Sequence, residues 1–211
     1  MSAGLIPADI FMEKRIFDPV VQNKSVSGKI VAGLERISEA FKVLLWEKAK
    51  ALGLSPIQIQ ILIFTAYHTS DLCNVSHLAK EFNVTKPTIS DAIRALFSKD
   101  LILKDFSSED SRSYSIVLSE KGKTMVAATE SFANPLYQQL ESFEEGDLES
   151  LFHTISKLIF QLNRNGILSV QRTCYGCKFY SKAEASDYCN LLEKPLLNTD
   201  IRLDCPEFII R

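Results

Sequence analysis

Three histidines are all that the 211 residues contain, His68, His77 and His153, and none has a neighbouring cysteine or aspartate at a nucleophile–base spacing. No glycine-rich phosphate loop occurs among the eight glycines. These two absences argue against an enzyme, and each histidine reads as an exposed or core-satisfied side chain. The longest apolar run, Ile57 to Ala66, is broken by Gln58 and Gln60 and is too short to span a bilayer. The opening residues MSAGLIPADIFMEKRIFD lack a charged segment followed by an apolar core. The expectation is a cytoplasmic protein without a membrane partner. A net charge of −2 gives no global attraction to nucleic acid, so any affinity for DNA must come from local groups. Internal repeats and low-complexity linkers are also lacking.

What is present is helical periodicity. Ile30, Leu34, Ile37, Phe41, Leu44 and Leu45 recur at helical spacing from Gly28, with Ser27 as a cap, to about Ala51, and Gly53 supplies a stop. Ser55 followed by Pro56 marks an N-cap and first turn, which favours a helix although IQIQILIF alternates locally like a strand. Asn74 caps a short helix in which Val75, Leu78, Ala79 and Phe82 share one face. After the turn Asn83-Val84-Thr85, a helix over 85–99 buries Ile89, Ala92, Ile93, Leu96 and Phe97, with Pro87 where a missing N–H costs nothing. The period then changes to two on either side of a polar tip at Ser107 to Ser111, which predicts a hairpin over 103–118 with Tyr114, Ile116 and Leu118 on one face. A helix from Glu120 is kinked or divided at Pro135, and a last one over about 147–162 carries Leu151, Ile155, Leu158, Ile159 and Leu162 before Asn165-Gly166 ends it.

The first turn of the helix at 85–99 holds hydroxyls and a lysine where a surface helix usually carries acids. A helix held steeply by a partner helix can enter the major groove and present its N-terminal residues to base edges. Carboxylates there would be repelled by phosphates, whereas free N–H groups, Thr, Ser and Lys donate to them. The candidate contacts are Thr85, Lys86, Thr88, Ser90 and Arg94, with Asp91 accepting from a cytosine amine or from Arg94. The competing reading is that Thr85, Thr88 and Ser90 only cap an ordinary helix. At the hairpin tip Arg112 can reach a minor groove or its phosphates, and Asp110 can pair with Arg112 and orient it.

The stretch DSRSYSIVLSEKG resembles the wing signature of the MarR family of winged-helix transcriptional regulators, D-x-R-x5-L-[ST]-x2-G, met by Asp110, Arg112, Leu118, Ser119 and Gly122. Together with LSPIQIQIL, NVSHLAKEFNVTKPTISDAIRALFSKDLI and the flanking long helices, the resemblance covers about residues 28–165. It implies a homodimer joined through its N- and C-terminal helices, two winged helices over a pseudo-palindromic operator, and repression relieved by a small-molecule effector or by oxidation. The effector pocket would lie between dimer helices and wing domain. Independently, the helices at 28–51 and 147–162 carry more apolar surface than a small wing domain covers. Trp46 and the phenylalanines near it read as core. Two departures stand out. Between Lys80 and Lys123 eight basic residues meet seven acidic ones, a thin surplus for a phosphate-binding surface, and a cysteine-rich tail follows.

Of five cysteines, Cys73 reads as a buried small hydrophobe, while Cys174, Cys177, Cys189 and Cys205 fall within the last 38 residues as C-x2-C-x11-C-x15-C. In a reducing compartment clustered thiols read as metal ligands before disulfides. Four thiolates close a structural zinc site, with Gly176 letting backbone amides turn toward the sulfurs. The same four can hold an iron–sulfur cluster, and Pro206 after the last cysteine resembles the ending of ferredoxin ligand runs. Zinc is the first expectation, the cluster the second, and a metal-free dithiol switch the third. Tyr175, Phe179, Tyr180, Tyr188 and Phe208 read as the tail's small core. The fold expected is mainly α with a small β-wing, a winged helix-turn-helix flanked by long dimerisation helices. Its parts are an arm at 1–27, dimerisation helices at 28–54 and 118–167, a DNA-binding domain at 55–117 and a metal-binding tail at 168–211.

Overall fold

A computed structural model describes residues 16–106, 114–182 and 186–211. The chain divides between Glu47 and Lys48 into two compact units. In the first, the short helix α1 (Pro19–Gln22) is capped by Asp18, whose carboxylate accepts from the Val20 amide at 2.9 Å. The long helix α2 (Val26–Leu52) begins there and continues across the division. It starts two residues before the expected Gly28, and Ser25 rather than Ser27 accepts from the first turn, at Gly28 N, 3.3 Å. Ile30, Leu34 and Ile37 on α2 are exposed, and Trp46 is 62% exposed. Trp46 is therefore no core residue of the single chain.

The second unit is built around α3 (Pro56–Tyr67), with α4 (Val75–Glu81), α5 (Lys86–Ser98), the strands β1 (Ile102–Asp105) and β2 (Ser115–Leu118), and α6 (Glu120–Thr129). The alternation in α3 does not produce a strand because the helix is wrapped by α5, α6 and β2 and buries residues on more than one side. Gln58, whose polarity produces half of that alternation, is buried for a local reason: its side-chain oxygen accepts from the Ser55 amide at 3.1 Å. Ile59, Ile61, Leu62, Leu78, Ile89, Ile93, Leu96, Leu101, Ile102 and Ile116 form the core and have almost no exposure.

β1 and β2 pair antiparallel from Ile102 opposite Leu118 to Asp105 opposite Ser115, and the Ile116 amide also donates to Cys73 O at 2.7 Å. Helix α6 is capped by Ser119, which accepts from Gly122 N at 2.9 Å and donates to Asp100 O at 2.6 Å. A β-carbon on Gly122 would sit 1.9 Å from the Leu101 carbonyl oxygen. The serine and glycine of the wing signature thus join the wing to the following helix. A 3-10 turn at Glu130–Ala133 separates α6 from α7 (Asn134–Leu140), which divides the helix beside Pro135. Helix α8 (Glu145–Arg164) ends at Gly166, whose φ of +73° suits only glycine well.

The tail folds as a small antiparallel sheet, β3 (Tyr180–Lys182), β4 (Asp187–Cys189) and β5 (Lys194–Leu196), with 3-10 turns at Cys174–Gly176 and Asn198–Asp200. Both turns pack on α8, where the Phe160 and Tyr175 rings lie 6.1 Å apart. Thr173, Cys177, Leu196 and Ile201 are buried, while the five expected aromatic core residues are half-buried around them. No single helix among the described residues is long and apolar enough to cross a membrane.

Candidate nucleic-acid interface and cysteine cavity

Helices α4 and α5 are joined by a turn in which Asn83 adopts φ +54° and the Val84 amide donates to Ala79 O at 3.0 Å. Asparagine is one of the few residues that tolerates this backbone. Thr85 caps α5, accepting from the Thr88 amide at 3.3 Å, and its hydroxyl lies 2.8 Å from that of Thr88. Thr85 is therefore a cap, and both threonines stay at the surface. Thr85, Lys86, Thr88, Asp91 and Arg94 are all exposed, Ser90 is half-buried, and the opposite face of α5 is sealed in the core by Ile89, Ala92, Ile93 and Leu96. Phe97, expected on that buried face, is instead exposed, since it falls toward the open side beside Lys104.

Arg94 donates to Asp91 at 2.8 Å, an exposed pair that orients the guanidinium. Asp110 and Arg112 lie outside the described residues. At the base of the hairpin, Lys104 stands 4.6 Å from the Tyr114 ring centroid and 5.6 Å from that of Phe97. Its alternating position in a strand gave no hint of this; only the pairing of β1 with β2 and the packing on α5 bring lysine and rings together.

A second constellation was not visible in the sequence. Arg172 donates to both carboxylate oxygens of Glu81, at 2.9 and 3.0 Å, and to Asp204. Asp204 also meets His68 Nε2 at 2.7 Å, and the His68 ring stacks on Phe64 with centroids 3.7 Å apart. His68 therefore does have an aspartate partner, supplied from 136 residues away. Burial alone would disfavour the Arg172 charge, but the Asp204 and Glu81 carboxylates raise its pKa above the ordinary arginine value. Asp204 is held below the usual carboxylate range: the hydrogen bonds from Arg172 and His68 overcome its burial. Nearby, Ser169 donates to the Asn83 side chain at 2.8 Å. The tail is thus fastened to the end of α4 and to the turn that precedes α5.

Cys73 is 1% exposed, as a buried small hydrophobe should be, and burial pushes its thiol pKa up. The other four cysteines line one cavity of about 280 Å³. Backbone pairing brings them there: Arg172 bridges to Asp204 and Cys177 to Ile210, Tyr180 stands opposite Cys189, and the Cys174 amide donates to Arg202 O at 3.2 Å. The Arg202 amide in turn approaches Cys174 Sγ at 3.3 Å. Burial raises the thiols of Cys174 and Cys205 above the ordinary value. Among the described residues no three His, Cys, Asp or Glu side chains are gathered about one ion-sized centre. The Gly176 amide itself donates to Thr173 O at 3.1 Å, and a β-carbon would sit 2.0 Å from the movable end of the Gln171 side chain.

Two short helices with an exposed polar helix start, followed by a two-stranded hairpin, decide the comparison. Residues 52–113 match the MarR family. The structure is similar to that of Staphylococcus aureus MepR in complex with DNA, at 26% identity and a TM-score of 0.53, covering 61% of this chain and 94% of MepR. MepR in its DNA-binding conformation gives 25% identity and a TM-score of 0.56, with coverage of 63% and 98%. A MarR transcriptional regulator from Methanosarcina mazei Go1 shares the fold at 19% identity and a TM-score of 0.54, with coverage of 64% and 96%. Each is matched almost throughout, yet more than a third of the present chain has no counterpart in it. No curated protein sequence matches the chain.

Proposed function

We propose that the protein is a homodimeric, cytoplasmic transcriptional regulator that binds a pseudo-palindromic operator. Helix α5 enters the major groove and the wing lies on adjacent backbone or in the minor groove. The observation that carries this reading is the two-sidedness of α5: its apolar face is fixed in the core while Lys86, Thr88 and Arg94 project from an exposed, acid-free first turn and the face beyond it. The MarR match at 52–113 and the likeness to a DNA complex of MepR support it. Arg112 and Asp110 of the wing signature supply the wing contact, and Lys104 adds a cation at the wing's base. The exposed stripe of α2 supports dimerisation. A small-molecule effector and a metal centre on the four tail thiols complete the reading.

Fluorescence anisotropy against fragments of the source genome, at several salt concentrations, tests it. The expected result is a specific complex whose affinity falls with salt. Absence of both a specific complex and a salt slope overturns it.

A further inference from the structure

Cys174 and Cys177 from one turn, Cys189 from β4 and Cys205 from the loop beyond Asp200 meet around a single cavity. A structural zinc ion draws four sulfurs to ~2.3 Å from one centre, which packs them against one another. The cavity that the four cysteines line, together with other side chains, has a volume of about 280 Å³, and no three such ligands are gathered about one ion-sized centre among the described residues. A cubane of iron and sulfide instead takes one thiolate at each of four corners and fills the space between them. Leu191, Leu196 and Ile201 wall this cavity with apolar surface. The Arg202 amide faces Cys174 Sγ, and the Arg202 guanidinium lies 3.7 Å from Cys205 Sγ. N–H donors aimed at ligand sulfurs and a cation beside them stabilise a cluster that carries net negative charge.

The last of the four cysteines is directly joined to the helix-turn-helix. Asp204, its neighbour in sequence, is held by Arg172 and His68, and Arg172 grips Glu81 at the end of α4. We infer that the four thiols ligate an iron–sulfur cluster of the [4Fe–4S] class, and that Arg172 passes its occupancy to the helix-turn-helix. The regulatory half of this inference rests on the DNA-binding function proposed above. With the cluster bound, the loop carrying Cys205 is fixed, Asp204 keeps Arg172 aligned on Glu81, and α4 holds the turn from which α5 projects. Without it, the loop loses its staple and the clamp loosens.

The full chain, purified anaerobically, gives the first result. The expected protein is coloured, with ~4 iron and ~4 acid-labile sulfide per chain. A colourless protein holding one zinc, or one that takes up zinc alone but not ferrous iron with sulfide during reconstitution, overturns the cluster. Cys189→Ser is expected to lose the iron and Cys73→Ser to retain it. Because Cys189→Ser can fail to fold, stripping and reloading the unaltered chain supplies the same comparison. DNA affinity is then measured for loaded and stripped protein: loading is expected to tighten binding by about tenfold, within the usual range of coupling between sites. In Glu81→Gln, iron content should be unchanged and the ratio of loaded to stripped affinity should fall below about twofold. Equal affinities in the unaltered chain overturn the coupling. If neither form binds any DNA, the DNA-binding reading fails and the coupling with it, whereas iron and sulfide analysis still decides the cluster alone.

Discussion

Arg172 and Glu81 lie 91 residues apart in sequence and are joined by two hydrogen bonds, 2.9 and 3.0 Å long, with the arginine side chain only 11% exposed. Removing one member of a buried, multiply bonded pair strands the other's charge in a site shielded from water. Glu81 would lose its arginine donor and Asp204 would keep only His68 in Arg172→Ala, so we expect a loss of about 3 kcal/mol in chemical denaturation. Arg172→Met keeps much of the packing over Phe64 and should recover a part of it. A loss below about 0.5 kcal/mol for the alanine variant would mean that the clamp is solvated.

Gly122 is confined by backbone rather than by a side chain. Its added β-carbon would meet the Leu101 carbonyl oxygen at 1.9 Å, and a carbonyl fixed between β1 and α5 cannot turn aside. Gly122→Ala should therefore lower stability by about 3 kcal/mol, at the upper end of overpacking costs. Gly146→Ala, in α8 with nothing near its β-carbon, should be neutral or gain up to about 0.5 kcal/mol. Thermal unfolding of the two variants side by side separates close approach from the general effect of replacing glycine.

His77 sits beside Glu81 with Nε2 3.5 Å from the carboxylate, a separation at which its buried nitrogen makes no hydrogen bond. Burial lowers its pKa below the ordinary 6.5, outweighing the pull of Glu81, and Arg172 works in the same direction while Asp71 opposes it weakly. The folded chain thus resists protonation that the unfolded chain accepts. Its contribution is complete above pH 6.5 and is lost as pH falls through the lower folded value. Denaturation midpoints measured from about pH 7 to about pH 5 should fall less steeply in His77→Gln than in the unaltered chain. An identical slope in both would assign the acid sensitivity to other groups.

Much of this architecture was legible because short-range chemistry decides it. Asn74, Ser55 and Thr85 each cap the helix they precede, and the two-residue period around the wing gives the paired strands β1 and β2. The four tail cysteines were also recognisable as a group, because their crowding is a property of the chain itself. The unread part is made of distant pairings. Nothing near His68 signals Asp204, and nothing near Glu81 signals Arg172, since each partnership exists only once the tail folds back on α4 and α8. Trp46 and Phe97 were misplaced for a related reason: helical spacing defines a stripe, but which edge of it meets the core depends on neighbours elsewhere in sequence.

On α5, Lys86 and Arg94 should separate by the kind of contact each makes. Lys86 stands in the first turn as the proposed phosphate contact, and Lys86→Ala should weaken every DNA sequence alike and reduce the salt slope by about 1. Arg94, already oriented by Asp91 at 2.8 Å, is the proposed base contact; Arg94→Ala should cost about 1–3 kcal/mol on the operator and little on unrelated DNA. Anisotropy on both sequences at several salt concentrations checks this. A uniform loss for Arg94→Ala would make it a second phosphate contact.

The exposed stripe of α2 leads to the last expectation. Ile30, Leu34 and Ile37 follow one another at helical spacing, and Ile37 is 47% exposed in the single chain. An apolar row of this kind costs free energy in water that association with a second α2 would recover. A glutamate placed at Ile37 would lie opposite its own copy or an apolar neighbour in a two-fold dimer, and a buried unpaired carboxylate is strongly unfavourable. Ile37→Glu should therefore raise the dimer dissociation constant by about a hundredfold, a change of ~2.7 kcal/mol, measurable by sedimentation equilibrium. Helix content should stay unchanged, since α3 to α6 have their own core. A variant that remains as dimeric as the unaltered chain would place the subunit contact on another surface.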